Sequence, residues 1–179
     1  MKGLIFTEFL EMVEEKFGWD VADAIIEENK LKSEGAYTAV GTYDHDELLK
    51  MVNTLSLKTG ISVSELLKTT GMHLFVQLQK QHPTFFDVEN GTFEFLERVD
   101  EHIHVEVRKL YLDAELPRFF YERPSTNQLI MTYESERPLA DIAIGMLTGA
   151  VNFFGEQIEI VRNDLGEKDG RSARFILTK

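Results

Sequence analysis

Residues 118–137 read RFFYERPSTNQLIMTYESER, and their texture differs from everything before them. Two runs rich in aromatic and β-branched residues, 118–123 and 128–135, flank Pro124-Ser125-Thr126-Asn127, which predicts a β-hairpin. Downstream, 138–154 returns to helical spacing, with Pro138 suited to a first turn, and 157–162 and 171–177 predict two more strands joined by a polar loop over 163–170. Upstream the pattern is helical throughout. Ile5, Phe6, Phe9, Leu10, Val13 and Phe17 mark a helix over 2–17 that Gly18 breaks, and 20–31 predicts a short second helix capped by Asp20. After a loop over 35–42, a third helix covers 44–58 and ends at Gly60. A fourth opens at Ser62-Val63-Ser64-Glu65, a capping-box pattern, and stops at His82-Pro83. Residues 93–111 predict one long helix. The expected fold is therefore α+β: a helical N-terminal half followed by a four-stranded antiparallel sheet with one inserted helix.

A chain of 179 residues with 43% apolar residues and 13 Phe suits one domain with a sizeable core, expected to span 1–179. A net charge of −12 excludes a broad phosphate-binding surface, so nucleic acid and anionic membrane are poor partners. The absence of cysteine excludes disulfides, thiolate ligation of zinc or haem, iron–sulfur clusters and covalent CxxCH attachment. Glu8 and Glu11 interrupt the N-terminal apolar run, no small-residue cleavage site follows, and no stretch matches a membrane span. A cytoplasmic location is the expectation.

Histidine is then the remaining soft ligand. His45 and His82 sit at expected helix ends, and His73 lies mid-helix beside Leu74. His102 and His104 are separated by about 200° around a helix axis and cannot serve one site together. Periodicity leaves the choice between them open. In an extended strand Tyr133, Ser135 and Arg137 share one face, with Glu134 and Glu136 on the other. A phenol, a hydroxyl and a guanidinium on one face can receive two carboxylates, although the same pattern also suits a polar strand edge. A histidine followed by such a clamp is what holding an iron porphyrin at its metal and its carboxylates requires.

Taken together, the opening Met1-Lys2-Gly3, His104 with Pro117 thirteen residues on, Tyr133-x-Ser135-x-Arg137 and Gly166-Glu167-Lys168-Asp169-Gly170 resemble the haem nitric oxide/oxygen-binding (H-NOX) family, bacterial relatives of the haem domain of soluble guanylate cyclase. The resemblance extends over essentially the whole chain. It implies a haem b buried between the helical half and the sheet, His104 as the axial iron ligand, and His102 as a surface or supporting residue. By the same resemblance Tyr133, Ser135 and Arg137 bind the propionates and Pro117 presses on the macrocycle. The gas-binding face then falls to Ile5 and Phe9 on the first helix, Leu74 and Leu78 on the fourth, and Ile142 and Met146 on the helix after the hairpin. Oxygen-binding members carry a tyrosine where this chain has Ile142, and dioxygen needs a hydrogen-bond donor that nitric oxide hardly requires.

The expected function is a gas sensor that binds NO and CO but not O₂. Loss of the iron–His104 bond would shift its helix and signal to a separate protein, a sensor histidine kinase or a cyclic-di-GMP enzyme. The apolar distal set also lacks the acid–base pair of a haem peroxidase, so no catalysis is expected. The alternatives are a cofactor-free interaction module that regulates a signalling enzyme, and an oxygen-binding haem sensor.

Overall fold

The computed structural model describes residues 1–86, 91–166 and 169–179, so Glu167 and Lys168 of the closing motif and of the 163–170 loop lie outside the described residues. Four helices build the N-terminal half: α1 (Gly3–Phe17), α2 (Trp19–Glu27), α3 (His45–Thr59) and α4 (Val63–Gln81). Their apolar stripes, repeating at helical spacing, meet in one core in which Phe6, Phe9, Met12, Ile25, Leu48 and Met51 are fully buried. Local chemistry fixes the helix ends. Asp44 accepts the Asp46 N–H at 3.1 Å to open α3, and Gly60 closes it in the left-handed conformation, φ 75°. Ser62 accepts the Glu65 N–H at 3.2 Å to open α4, one half of the expected capping box.

The second helix differs from expectation at both ends. Gly18 caps α2 and Asp20 lies within its first turn. The helix ends at Glu27, because Asn29 turns its side-chain amide back onto the Ile25 carbonyl at 2.7 Å, and Leu31 enters the core from the following turn.

The sheet comprises β1 (Arg118–Ser125), β2 (Gln128–Glu134), β3 (Glu159–Asp164) and β4 (Ser172–Thr178), antiparallel in the order β1-β2-β4-β3. Thr126-Asn127 forms the hairpin turn between β1 and β2. Leu129, Met131 and Tyr133 of β2 face inward beside Ala173, Phe175 and Leu177 of β4, the period-two alternation of a sheet with one buried face. Inserted between β2 and β3, α7 (Ala140–Phe154) starts two residues after Pro138 and packs along α4 more extensively than any other described helix pair. Small residues permit that approach: a Cβ on Gly71 would fall 2.2 Å from the Ile142 carbonyl oxygen. The expected α+β plan is the observed one.

The long helix expected over 93–111 is interrupted. It resolves into α5 (Thr92–Glu97), a π turn (Val99–Ile103) and α6 (His104–Leu110). The Ile103 N–H reaches the Arg98 carbonyl at 3.3 Å, five residues back, so one extra residue is accommodated just before His104. No residue from Val99 to Leu110 is fully buried. Among the described residues no helix is long and apolar enough to cross a membrane.

Candidate functional site

A cavity of about 260 Å³ opens between the helical half and the sheet. One wall comes from α1, α4 and α7, and the other from the π turn, α6, the 111–117 segment and the ends of β1 and β2. His104 lines it, whereas His102 is exposed and does not.

His104 is held by Asp100, four residues before it. Its Nδ1 lies 3.0 Å from Asp100 Oδ1, and because a carboxylate can only accept, Nδ1 carries the proton. That bond spans the π turn and leaves the Nε2 lone pair as the ring's free ligating position. Burial pushes the His104 pKa down, against the opposing pull of Asp100, so the imidazole is neutral as a metal ligand must be. The Phe119 ring stands 5.9 Å from the imidazole.

Tyr133, Ser135, Arg137 and Pro117 also line the cavity, but not by strand alternation alone. β2 ends at Glu134, and Ser135 Oγ accepts the Arg137 N–H at 3.1 Å, a tight turn that brings the guanidinium back toward the phenol. Burial pushes the Tyr133 pKa up, with Ser135 and Arg137 opposing, so the phenol is a donor. The Arg137 side chain is only 12% exposed and its guanidinium grips Glu115, through the main-chain carbonyl at 3.1 Å and through the carboxylate. The Glu115 side chain is itself 72% exposed. A carboxylate from a side chain that can swing into water already sits on this cation, which makes the position suitable for a ligand carboxylate.

The rim is tied to the N-terminus. Lys2 Nζ meets Asp113 at 2.8 Å, Thr42 donates to the same carboxylate at 2.6 Å, and the Met1 ammonium donates to the Tyr43 carbonyl at 2.7 Å.

Of the expected gas-facing residues, Ile5, Leu74, Leu78, Ile142 and Met146 line the cavity. Phe9 does not. It shares a face with Ile5, but one turn further along α1 it is fully buried in the N-terminal core, and Leu4 contributes to the wall instead. His82, expected only as a helix-end residue, caps α4, stacks on Phe85 with ring centres 5.3 Å apart, and also lines the cavity. The sequence reading missed Phe75, Phe85, Phe95 and Val107 as lining residues. A histidine with an aspartate four residues before it was the legible sign of Asp100.

A sequence model of the haem-NO-binding family matches residues 2–162. The chain belongs to this family, the H-NOX proteins. It is 40% identical to the H-NOX protein from K. algicida in the Fe(II) unliganded state, covering 99% of this chain and 96% of that one with a TM-score of 0.93. It is 39% identical to the H-NOX from Shewanella woodyi in the Fe(II)CO state, covering 100% and 94%, TM-score 0.84. It is also similar to an H-NOX protein from S. oneidensis in the Fe(II)NO state, at 26% identity, 99% and 98% coverage and a TM-score of 0.89. No curated protein sequence matches the chain. The cofactor of H-NOX proteins is haem. The donor set of this cavity fits that group: a neutral imidazole with a free Nε2, apolar walls, and a phenol, a hydroxyl and a guanidinium at one edge.

Proposed function

We propose that this H-NOX chain is one domain over residues 1–179 that binds NO and CO, but not O₂, and reports the gas to a separate signalling protein. A sensor histidine kinase or a cyclic-di-GMP enzyme in the cytoplasm is the partner that the family resemblance suggests, and the domain itself is not an enzyme. Bound haem would supply a ferrous iron able to take a diatomic gas. His104 Nε2 would hold the iron, Tyr133, Ser135 and Arg137 the propionates, and Pro117 would press on the ring.

The observation that carries the gas selectivity is the wall opposed to His104 in this reading, where Ile5, Leu74, Leu78, Ile142 and Met146 bring only apolar groups. A hydrogen bond to a charged group contributes about 1.5–3 kcal/mol, so its absence weakens O₂ binding by roughly 10- to 150-fold. NO and CO forfeit much less. His82, at the end of α4, also lines the cavity, and its stack on Phe85 occupies one face of its ring.

For signalling, Asp100 holds the imidazole through Nδ1, so the ring and the π turn move as one unit. A displacement of His104 would therefore carry the π turn and the start of α6 with it. The Lys2–Asp113–Thr42 contacts join the chain just beyond α6 to the start of α1, giving that shift a route to the N-terminal half. The test is the visible spectrum of the reduced, haem-loaded protein under argon, in air and with NO. A Soret band indifferent to air but displaced by NO supports the reading, and a stable oxygen complex in air overturns its selectivity.

A further inference from the structure

Three carboxylates repeat along one face of α1, at Glu8, Glu11 and Glu15, and that face meets His73 of α4. Glu8 and His73 are both buried there, with Glu8 5% exposed and the His73 side chain 8%. Glu8 Oε1 takes a long contact of 3.4 Å from the Gln81 amide, while Oε2 is shielded from water and has no hydrogen-bond partner. Leaving a carboxylate oxygen buried and unsatisfied is costly. What Oε2 faces is His73 Nε2, 3.4 Å away and too far for a charge-assisted hydrogen bond. One ligand atom from each of Glu8, Glu11 and His73 lies within 4.8 Å of the others.

We propose that Glu8, Glu11 and His73 form a binding site for a zinc-class divalent cation, separate from the haem cavity. Bonds of about 2.0–2.1 Å in a tetrahedral site set ligand atoms about 3.3–3.4 Å apart, the separation found between Glu8 and His73. One imidazole with two carboxylates selects zinc and its transition-metal neighbours over magnesium or calcium, which prefer oxygen alone. Glu15 Oε2 stands 3.7 Å from His73 Nδ1, placed to fix the ring by the contact that commonly orients a metal-bound histidine. The Gln77 amide, 3.4 Å from Nε2, turns aside when the cation enters. Glu11 is exposed and gives the ion an entry path. The site would tie α1 to α4 directly behind Ile5 and Leu74, which line the haem cavity.

The test is isothermal titration of the full, haem-loaded, chelator-treated protein with Zn²⁺, and separately with Mg²⁺. The expected result is one Zn²⁺ per chain with a raised melting temperature and no comparable Mg²⁺ binding. His73→Gln and Glu11→Gln should each weaken it by about tenfold or more, and Glu15→Gln should also weaken it. Glu11 is exposed, so its variant keeps the test valid if His73→Gln fails to fold. The exposed Asp44-His45-Asp46 cluster is the rival location. Zinc binding that is absent, that survives both His73→Gln and Glu11→Gln, or that is lost in His45→Gln overturns the proposal.

Discussion

Replacing Gly145 with Ala places a methyl group where α7 crosses α4. The new Cβ would fall 2.1 Å from the Lys68 carbonyl oxygen and 3.0 Å from Gly71 Cα, both of them backbone atoms that cannot rotate away. Carbon approaches a carbonyl oxygen comfortably at about 3.3 Å, so the helices must separate by roughly 1 Å. Overpacking of this kind costs about 1–3 kcal/mol. Removing a glycine from a helix interior returns up to about 1 kcal/mol. Because backbone bears the clash, the upper part of the overpacking range applies, and the net loss is about 1–2 kcal/mol, a factor of about 5–30 in the folding equilibrium. Leu74 and Ile142 lie within one turn of the crossing and line the cavity, so the same separation loosens the gas-facing wall. The assay is urea unfolding followed by far-ultraviolet circular dichroism at equal haem loading, with the slope unchanged and the midpoint lowered. A midpoint equal to or above that of the wild type would refute the reasoning, since it would mean the methyl group enters open space and only the helix-propensity gain remains.

Other substitutions probe the two sides of the cavity. Ile142→Tyr brings a phenolic donor to the apolar wall and should raise oxygen affinity by roughly 10- to 150-fold, seen as a spectral change of the reduced protein in air; a spectrum still indifferent to air would count against the donor argument. Asp100→Ala removes the hold on His104 Nδ1 and should weaken haem retention by about 10- to 100-fold in a transfer assay to a haem scavenger. In the haem-free protein the same change should lower the His104 pKa further, because Asp100 raises it while burial lowers it. An NMR titration showing a higher pKa would contradict that assignment.

Much of this architecture is written locally. Pro124-Ser125-Thr126-Asn127 between two aromatic-rich runs announces the hairpin, and the Phe6, Phe9 and Val13 spacing announces the buried face of α1. The π turn before His104 was illegible, because inserting one residue into a helix needs no distinctive residue type. Phe9 shows a related limit. Helical spacing gives the face of a residue but not its depth along the axis, and one turn separates a cavity wall at Ile5 from a closed core at Phe9. Tyr133, Ser135 and Arg137 were read as one extended strand face, but β2 ends at Glu134 and Ser135 Oγ accepts the Arg137 N–H in a turn. Periodicity alone did not separate His104 from His102; the resemblance pointed to His104, and His104 is the one that lines the cavity.

The claim on which the rest depends is that His104 Nε2 is the iron ligand. Reconstituting His104→Gly and the wild-type chain with haem, with and without imidazole, addresses it directly. The account expects one tightly held haem per wild-type chain, an altered ferrous spectrum with weakened retention in the variant, and return of the wild-type spectrum when imidazole fills the vacated place. A variant that binds haem with the wild-type ferrous spectrum in the absence of imidazole would contradict it.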